Sequence, residues 1–378
     1  MNTVTLFDAH HDFNASTSLL SVFESGNLAG GPPVLALENA VSDMCQHRPV
    51  VSVVNMTEAL CLALHLAGVG VGDDVLTMSF NCLSSNVCIN MVGANGIWVD
   101  VDPVCACIDL NDVHSALTPA TKALVVYQLA GYPICMDGAI DFCRKHNIAL
   151  IEDANNSWLS ADAHTRKYSE IDFLYFTVFS LYANRQINGI EGALLVCPST
   201  DLAIKAKRWT RFGIDSNKFR LANGEINPSY DILDKGINAS LNAVSASLAL
   251  KHLESLGKRI EKCRLHAAIL LSACEGNPLI NPIKWKSDNI PSFWVFLIRS
   301  SERELLKNYL KIHGIQTSSL HFPNHLYSVF KFGKRNLPGT ALIQNELLAL
   351  PCGWWLSESD ISNLAICLRN FSKENIYV

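Results

Sequence analysis

The chain has 378 residues, 49% of them hydrophobic and 17% charged, with a formal net charge of −5. That length suits two domains built on sizeable cores, and the acidic balance, with no Lys/Arg run, argues against a nucleic-acid binder. No apolar run reaches the ~18 residues of a membrane span. The start MNTVTLFDAHHDF is polar and acidic, without the pattern of a signal peptide, so a cytoplasmic protein is expected.

From residue 50 to about 200 the pattern alternates. Short β-rich runs at 50–54, 74–78, 96–101, 123–128, 149–152, 173–179 and 192–197 are separated by helical stretches, with apolar residues at helical spacing in 57–67 and 139–146. Alternation of this kind predicts an α/β fold, a mostly parallel sheet with helices on both faces. Ligands on such sheets sit beyond the carboxyl ends of the strands. The loops that matter are then 55–57, 79–86, 153–158 and 180–192. From about 246 the texture changes to a long helix at 246–268, a strand-like run at 293–298 and helices at 302–312 and 357–371. The expected organisation is a large domain over 1–250 and a smaller α+β domain over 251–378.

Several residues in those loops carry chemistry. Asp153 ends an apolar strand, where a carboxylate either faces a ligand crevice and holds a protonated ring nitrogen or caps a helix. Residues 55–60 read NMTEAL and open a helix. A helix N-terminus attracts anions, and Thr57 there caps the helix, binds a phosphate, or does both. Ser180, Asn184 and Asn238 read alone as turn chemistry. His321 and His325, in HFPNH, are candidates for lining a cleft. The thirteen cysteines sit mostly in apolar runs, with no C-x-x-C pair, and no metal-ligating constellation is present.

Taken together, the motifs resemble those of the DegT/StrS sugar-nucleotide aminotransferases, pyridoxal-phosphate (PLP) enzymes of fold type I. SGNLAGGP at 25–32 is similar to a loop near that family's start. NMTEAL at 55–60 is similar to its N-G-T-x-A-L, GVGDDV at 70–75 to G-x-G-D-E-V, and DVDP at 100–103 to D-x-D-P. Glu152-Asp153-Ala154 matches E-D-A, Gly236-Ile237-Asn238 matches G-Y-N, and Leu350-Pro351 a late L-P. The order and spacing hold over most of the chain. The resemblance implies that Asp153 holds the pyridinium nitrogen and that Thr57 and Ser180 bind the cofactor phosphate. It also implies that Asn238 reaches that phosphate from the other subunit of a homodimer. The implied substrate is a nucleotide-linked sugar, for which His321 and His325 are the candidate contacts.

The loop at 179–193 departs from the family. Aligned without a gap on Phe179-Ser180 and Glu191-Gly192, Arg185 falls where the family has its Schiff-base lysine. A guanidinium stays protonated and forms no useful imine with an aldehyde. Cys82 stands where the family has an aromatic that stacks on the cofactor ring, although a slip of two residues would put Phe80 there. Asn156 stands for a glutamine that contacts the ring oxygen, and Met56 for the glycine of N-G-T. G-E-G-G has become Ile190-Glu191-Gly192-Ala193. Wherever a lost glycine needed positive φ, its replacement costs on the order of 1 kcal/mol or more.

Three readings follow. One is a pseudoenzyme, either a binding module or the partner of an active paralog in a heterodimer. Another is an enzyme using PLP or pyridoxamine phosphate (PMP) held non-covalently, as in the sugar 3-dehydratase branch, where histidine replaces the lysine. The third is a conventional aminotransferase whose lysine is misplaced by the alignment or mutated.

Overall fold

The computed structural model describes residues 3–9, 15–134, 136–167, 171–285 and 288–372. The strands are Val50–Val53 (β1), Asp74–Met78 (β2), Asn95–Val99 (β3), the short pair Val101–Asp102 (β4) and Cys107–Ile108 (β5), Thr121–Tyr127 (β6), Ala149–Asp153 (β7), Tyr175–Ser180 (β8) and Ala193–Val196 (β9). Seven of them form one sheet in the order β1-β9-β8-β7-β6-β2-β3. Only β9 runs against its neighbours. The four residues of β1 and of β9, and all of β7 and β8, are buried. Burial on both faces is why these strands read as unbroken apolar runs.

Helices Ala15–Ser25 (α1), Pro32–Met44 (α2), Met56–Leu66 (α3), Leu83–Met91 (α4), Leu110–Ala116 (α5), Met136–His146 (α6), Thr200–Trp209 (α7) and Ala243–Leu253 (α8) accompany this sheet. Helix α3 packs on β1, β8 and β9 on one side, while α2 lies against α8 and β1. Next along the chain come Leu256–Cys274 (α9), a three-stranded antiparallel sheet of Asn281–Pro282 (β10), Phe296–Arg299 (β11) and Leu347–Leu350 (β12), and helices Arg303–Ile312 (α10), Pro338–Glu346 (α11) and Glu358–Asn370 (α12). Helix α9 packs on α12. One continuous apolar cluster links the two sheets, from Leu76, Leu124 and Leu150 to Phe296, Leu348 and Leu364.

Two expected elements differ. The helix expected over 246–268 is two helices, α8 and α9, parted at Glu254 and Ser255. The break frees the His252 carbonyl, which accepts from Nη2 of the buried Arg259 at 2.6 Å, while Arg259 Nη1 bonds the Gln186 carbonyl. The strand expected over 96–101 ends at Val99, with β4 separate. Asp100 turns out of line because its carboxylate caps α11, accepting from Gly339 N at 2.8 Å and from Thr340 N at 2.7 Å.

Candidate active site

The four loops singled out in the sequence meet at one cavity of about 460 Å³. Its wall comprises residues 54–57 between β1 and α3, Cys82 and Ser84 at the start of α4, Asn155 after β7, and Ser180, Tyr182, Arg185 and Glu191 between β8 and β9. It lies at the carboxyl ends of the parallel strands, where the sheet geometry directs a ligand.

Asn55, not Thr57, caps α3. Its Oδ1 accepts from Glu58 N at 2.9 Å, which leaves Thr57 in the first helical turn with its hydroxyl available to a ligand at the cavity wall. Ser180 ends β8, and its Oγ accepts from Tyr182 N at 3.2 Å, so its own proton is free to be donated. Two hydroxyls and the first-turn amides of α3 thus face the same space, an arrangement suited to a phosphate. Met56 lines the cavity without a positive φ, so losing a glycine there brings no backbone strain. Ala193 is likewise an ordinary strand residue, whereas Ile190 has φ of 71° and carries the strain.

Asp153 is completely buried and is not itself part of the cavity wall. Ser85 Oγ donates to its Oδ2 and Asn155 N to its Oδ1 at 3.3 Å. Burial pushes its pKa from 3.8 up to about 6, against the opposing pull of those hydrogen bonds and of Arg185. Of the two asparagines after this strand, Asn155 is on the wall. Asn156 is directed elsewhere: its carbonyl accepts from Gln186 Nε2 at 2.8 Å and Ser292 Oγ at 2.7 Å, and its Oδ1 is buried without a partner. Cys82 occupies the wall at the start of α4, while Phe80 is buried in the core with its ring edge-on to His321 at 5.8 Å. No aromatic platform stands at position 82.

Arg185 lies half-buried with its guanidinium 4.5 Å from the centroid of the Trp294 ring and 5.9 Å from that of Tyr182. Its Nη1 donates to Asn184 Oδ1 at 2.8 Å, and Trp294 Nε1 donates to the Asn184 carbonyl, also at 2.8 Å. Its Nε is buried without a hydrogen-bond partner. Desolvation lowers its pKa, and attraction from Tyr127, Cys82 and Asp153 works in the other direction.

The two histidines part ways. His321 shares a 3.0 Å hydrogen bond with Tyr127 OH, and burial together with the Arg185 charge pushes its pKa down to about 4, so its imidazole is neutral at neutral pH. His325 Nδ1 lies 2.6 Å from Ser79 Oγ and so fastens its own loop to the end of β2; burial lowers its pKa too. Asn238 is outside the Arg185 cavity. It is exposed and lines a separate groove of about 810 Å³ with Lys207, Arg208 and Arg211.

Ser85, Asn155, Tyr127 and Trp294 were not foreseen. Tyr127 pairs with Asp153 across the sheet, and the rule that led to the other loops applies equally to the end of β6. Trp294 comes from over a hundred residues further on and carries no local signal.

Residues 11–369 match the DegT/DnrJ/EryC1/StrS aminotransferase family. The chain belongs to that family. Its members are PLP-dependent, and the sheet order, with a single antiparallel strand, is the fold-type-I arrangement. Among solved structures, the sugar aminotransferase CalS13 of Micromonospora echinospora is 26% identical, with 98% of this chain and 100% of that one covered and a TM-score of 0.89. AtS13 of Actinomadura melliaura is 27% identical over the same shares, with a TM-score of 0.88. Spr1654 of Streptococcus pneumoniae, in its PMP form, is 20% identical, covers 97% of this chain and 98% of its own, and at a TM-score of 0.86 shares the fold. Among the described residues, no helix is long and apolar enough to cross a membrane, and no group of three or more potential metal ligands occurs.

Proposed function

We propose that this member of the DegT/StrS family is an aminotransferase-like protein of nucleotide-sugar metabolism that does not carry out standard transamination. Its cavity would hold a phosphorylated pyridine non-covalently. The observation that carries this reading is the Arg185 guanidinium on the cavity wall; the sequence resemblance aligns that residue with the family's imine-forming lysine. Such a group keeps its proton and offers no lone pair to an aldehyde carbon.

The remaining frame suits the cofactor without the covalent bond. Thr57, Ser180 and the first-turn amides of α3 would take the phosphate, and Asn155 faces the same space. Asp153 would offer its charge to a ring nitrogen. In an active member of the family, PLP supplies an electron sink. In this chain the residues bind and orient, and Arg185 shuttles no proton near neutral pH. The division into 1–250 and 251–378 and the homodimer belong to the same proposal. Asn238 is exposed and away from its own cavity, which supports a contribution to a second subunit or an active paralog.

Incubation with PLP followed by borohydride reduction and mass spectrometry tests the reading. The expected result is no adduct on the wild-type chain beyond those on exposed lysines, and one further adduct, at position 185, in Arg185→Lys. A stoichiometric adduct on a buried lysine of the wild-type chain, or amino transfer to a nucleotide-linked keto-sugar, overturns it. A second reading, turnover with non-covalent PMP, is favoured by one observation. The neutral His321 and its bond to Tyr127 lie beside Arg185 and offer a group able to exchange protons.

A further inference from the structure

Arg185 is costly to keep where it is. It is half-buried, its Nε is sealed from water without a partner, and among the described residues its only side-chain hydrogen bond goes to the neutral amide of Asn184. Among the described residues, no carboxylate lies within ion-pair distance of it. The nearby Asp153 is occupied by Ser85 and Asn155 and is not on the wall. The Trp294 ring holds the guanidinium by cation–π contact, and with Nη1 giving one proton to Asn184, Nη2 and the second Nη1 proton are left without a hydrogen-bond partner among the described residues. A guanidinium matches a carboxylate through two parallel hydrogen bonds.

A second orphan lies on the same wall. Asn155 is 2% exposed, and its Oδ1 is buried with no hydrogen-bond partner. It lacks a donor, as a ring hydroxyl would supply. On the α3 side, Thr57, Ser180 and the helix amides await an anion.

We infer that the cavity selects a single-ring ligand bearing two anionic groups and a hydroxyl. A phosphate sits at Thr57 and Ser180, and a carboxylate on Arg185 stands where an aldehyde to be condensed would otherwise be. This rests on the non-covalent reading above and sharpens it. A carboxylate finds the guanidinium protons that Asn184 leaves unengaged, an aldehyde finds only a weak acceptor's share of them, and the ammonium of PMP meets a like charge.

Calorimetric titration of the full chain tests the inference with three probes: PLP, PMP, and the same pyridine phosphate with a carboxylate in place of the aldehyde. The expected order is carboxylate, then PLP, then PMP, with the carboxylate at least about tenfold tighter than PMP, as charge-assisted hydrogen bonds provide. Arg185→Gln should bring the three within about threefold of one another. Ser180→Ala should weaken all three alike and preserve the order. PMP binding as tightly as the carboxylate overturns the inference, as does an order unchanged in Arg185→Gln or no binding by any probe. No binding by any probe overturns the non-covalent reading along with the inference, whereas the other two outcomes leave that reading and the borohydride result untouched and overturn the inference alone.

Discussion

Asp153→Asn isolates the cost of keeping a carboxylate in the floor of this fold. The folded-state pKa of Asp153 is about 6 against an ordinary 3.8. The folded chain therefore holds this proton more tightly than the unfolded chain. Below the ordinary value both states are protonated and the group is neutral with respect to folding. As pH rises through the interval to about 6, the unfolded chain gains by ionising first and stability falls. Above 6 the loss is complete. A difference of about two pH units, at about 1.4 kcal/mol each, makes that loss roughly 3 kcal/mol. Asparagine keeps the shape and can still accept from Ser85, but it does not titrate. Its absolute stability carries other changes, including a poorer fit to the Asn155 amide, so the difference between two pH values is the quantity to use. Urea unfolding followed by tryptophan fluorescence should show the wild type losing about 2.4 kcal/mol more than Asp153→Asn between pH 4 and pH 8, part of the loss having already occurred at pH 4. Glu152, whose pKa burial and Asp162 push up to about 7, loses stability over an overlapping range in both proteins and cancels. Parallel curves for the two proteins would refute the argument. A carboxylate kept at such expense is better explained by a ligand than by the fold.

Three further perturbations follow from named geometry. Ile190→Gly should raise stability by about 0.5–1 kcal/mol, because the exposed, β-branched Ile190 holds φ at 71° and glycine does so freely; a lower urea midpoint would contradict this. Gly131→Ala should cost about 2 kcal/mol or more, since φ is +82° and an added Cβ would lie 2.1 Å from Ser292 Oγ and 2.7 Å from the Asn156 carbonyl; a change within experimental error would count against the packing described. Arg166→Ala removes the 2.5 Å ion pair to Asp162 beside Glu152, two carboxyls whose pKa values burial already raises. Groups raised in this way lose stability as pH rises, so the variant should be hurt more at about pH 8 than at pH 5 by the same urea assay, and equal losses would show that the pair is inert.

Much of this architecture was legible because parallel strands buried on both faces leave apolar runs, and those at 74–78 and 149–152 fall inside strands of the structure. The loops at their carboxyl ends were legible for the same reason. The break between α8 and α9 was not, because it depends on Arg259 reaching two carbonyls, one of them distant in sequence. Nor was the choice between Asn155 and Asn156. Both are polar and follow a strand, and only the bonds from Gln186 and Ser292 to the Asn156 carbonyl decide which way the turn faces. The motif D-x-D-P was visible as a string, but its role was not. Asp100 caps a helix that begins more than two hundred residues later.

Position 185 is better understood as part of a clamp than as one exchanged side chain. The Trp294 indole donates to the Asn184 carbonyl, Asn184 Oδ1 accepts from Arg185, and the guanidinium lies over the indole, which is itself stacked on Phe7 at 4.6 Å. A lysine at 185 would satisfy none of this with the same geometry, because its ammonium is a point charge without a plane. Arg185→Lys is therefore expected to gain an imine with PLP and still fail to transfer an amino group. Cys82 gives the ring no aromatic platform, and Asn156 stays turned from the cavity. Steady-state assay of that variant with an amino donor and a nucleotide-linked keto-sugar would decide the matter. Turnover approaching that of an active relative would mean that one residue alone had silenced the site, and the clamp would then be an accommodation of Arg185 rather than evidence of a different task.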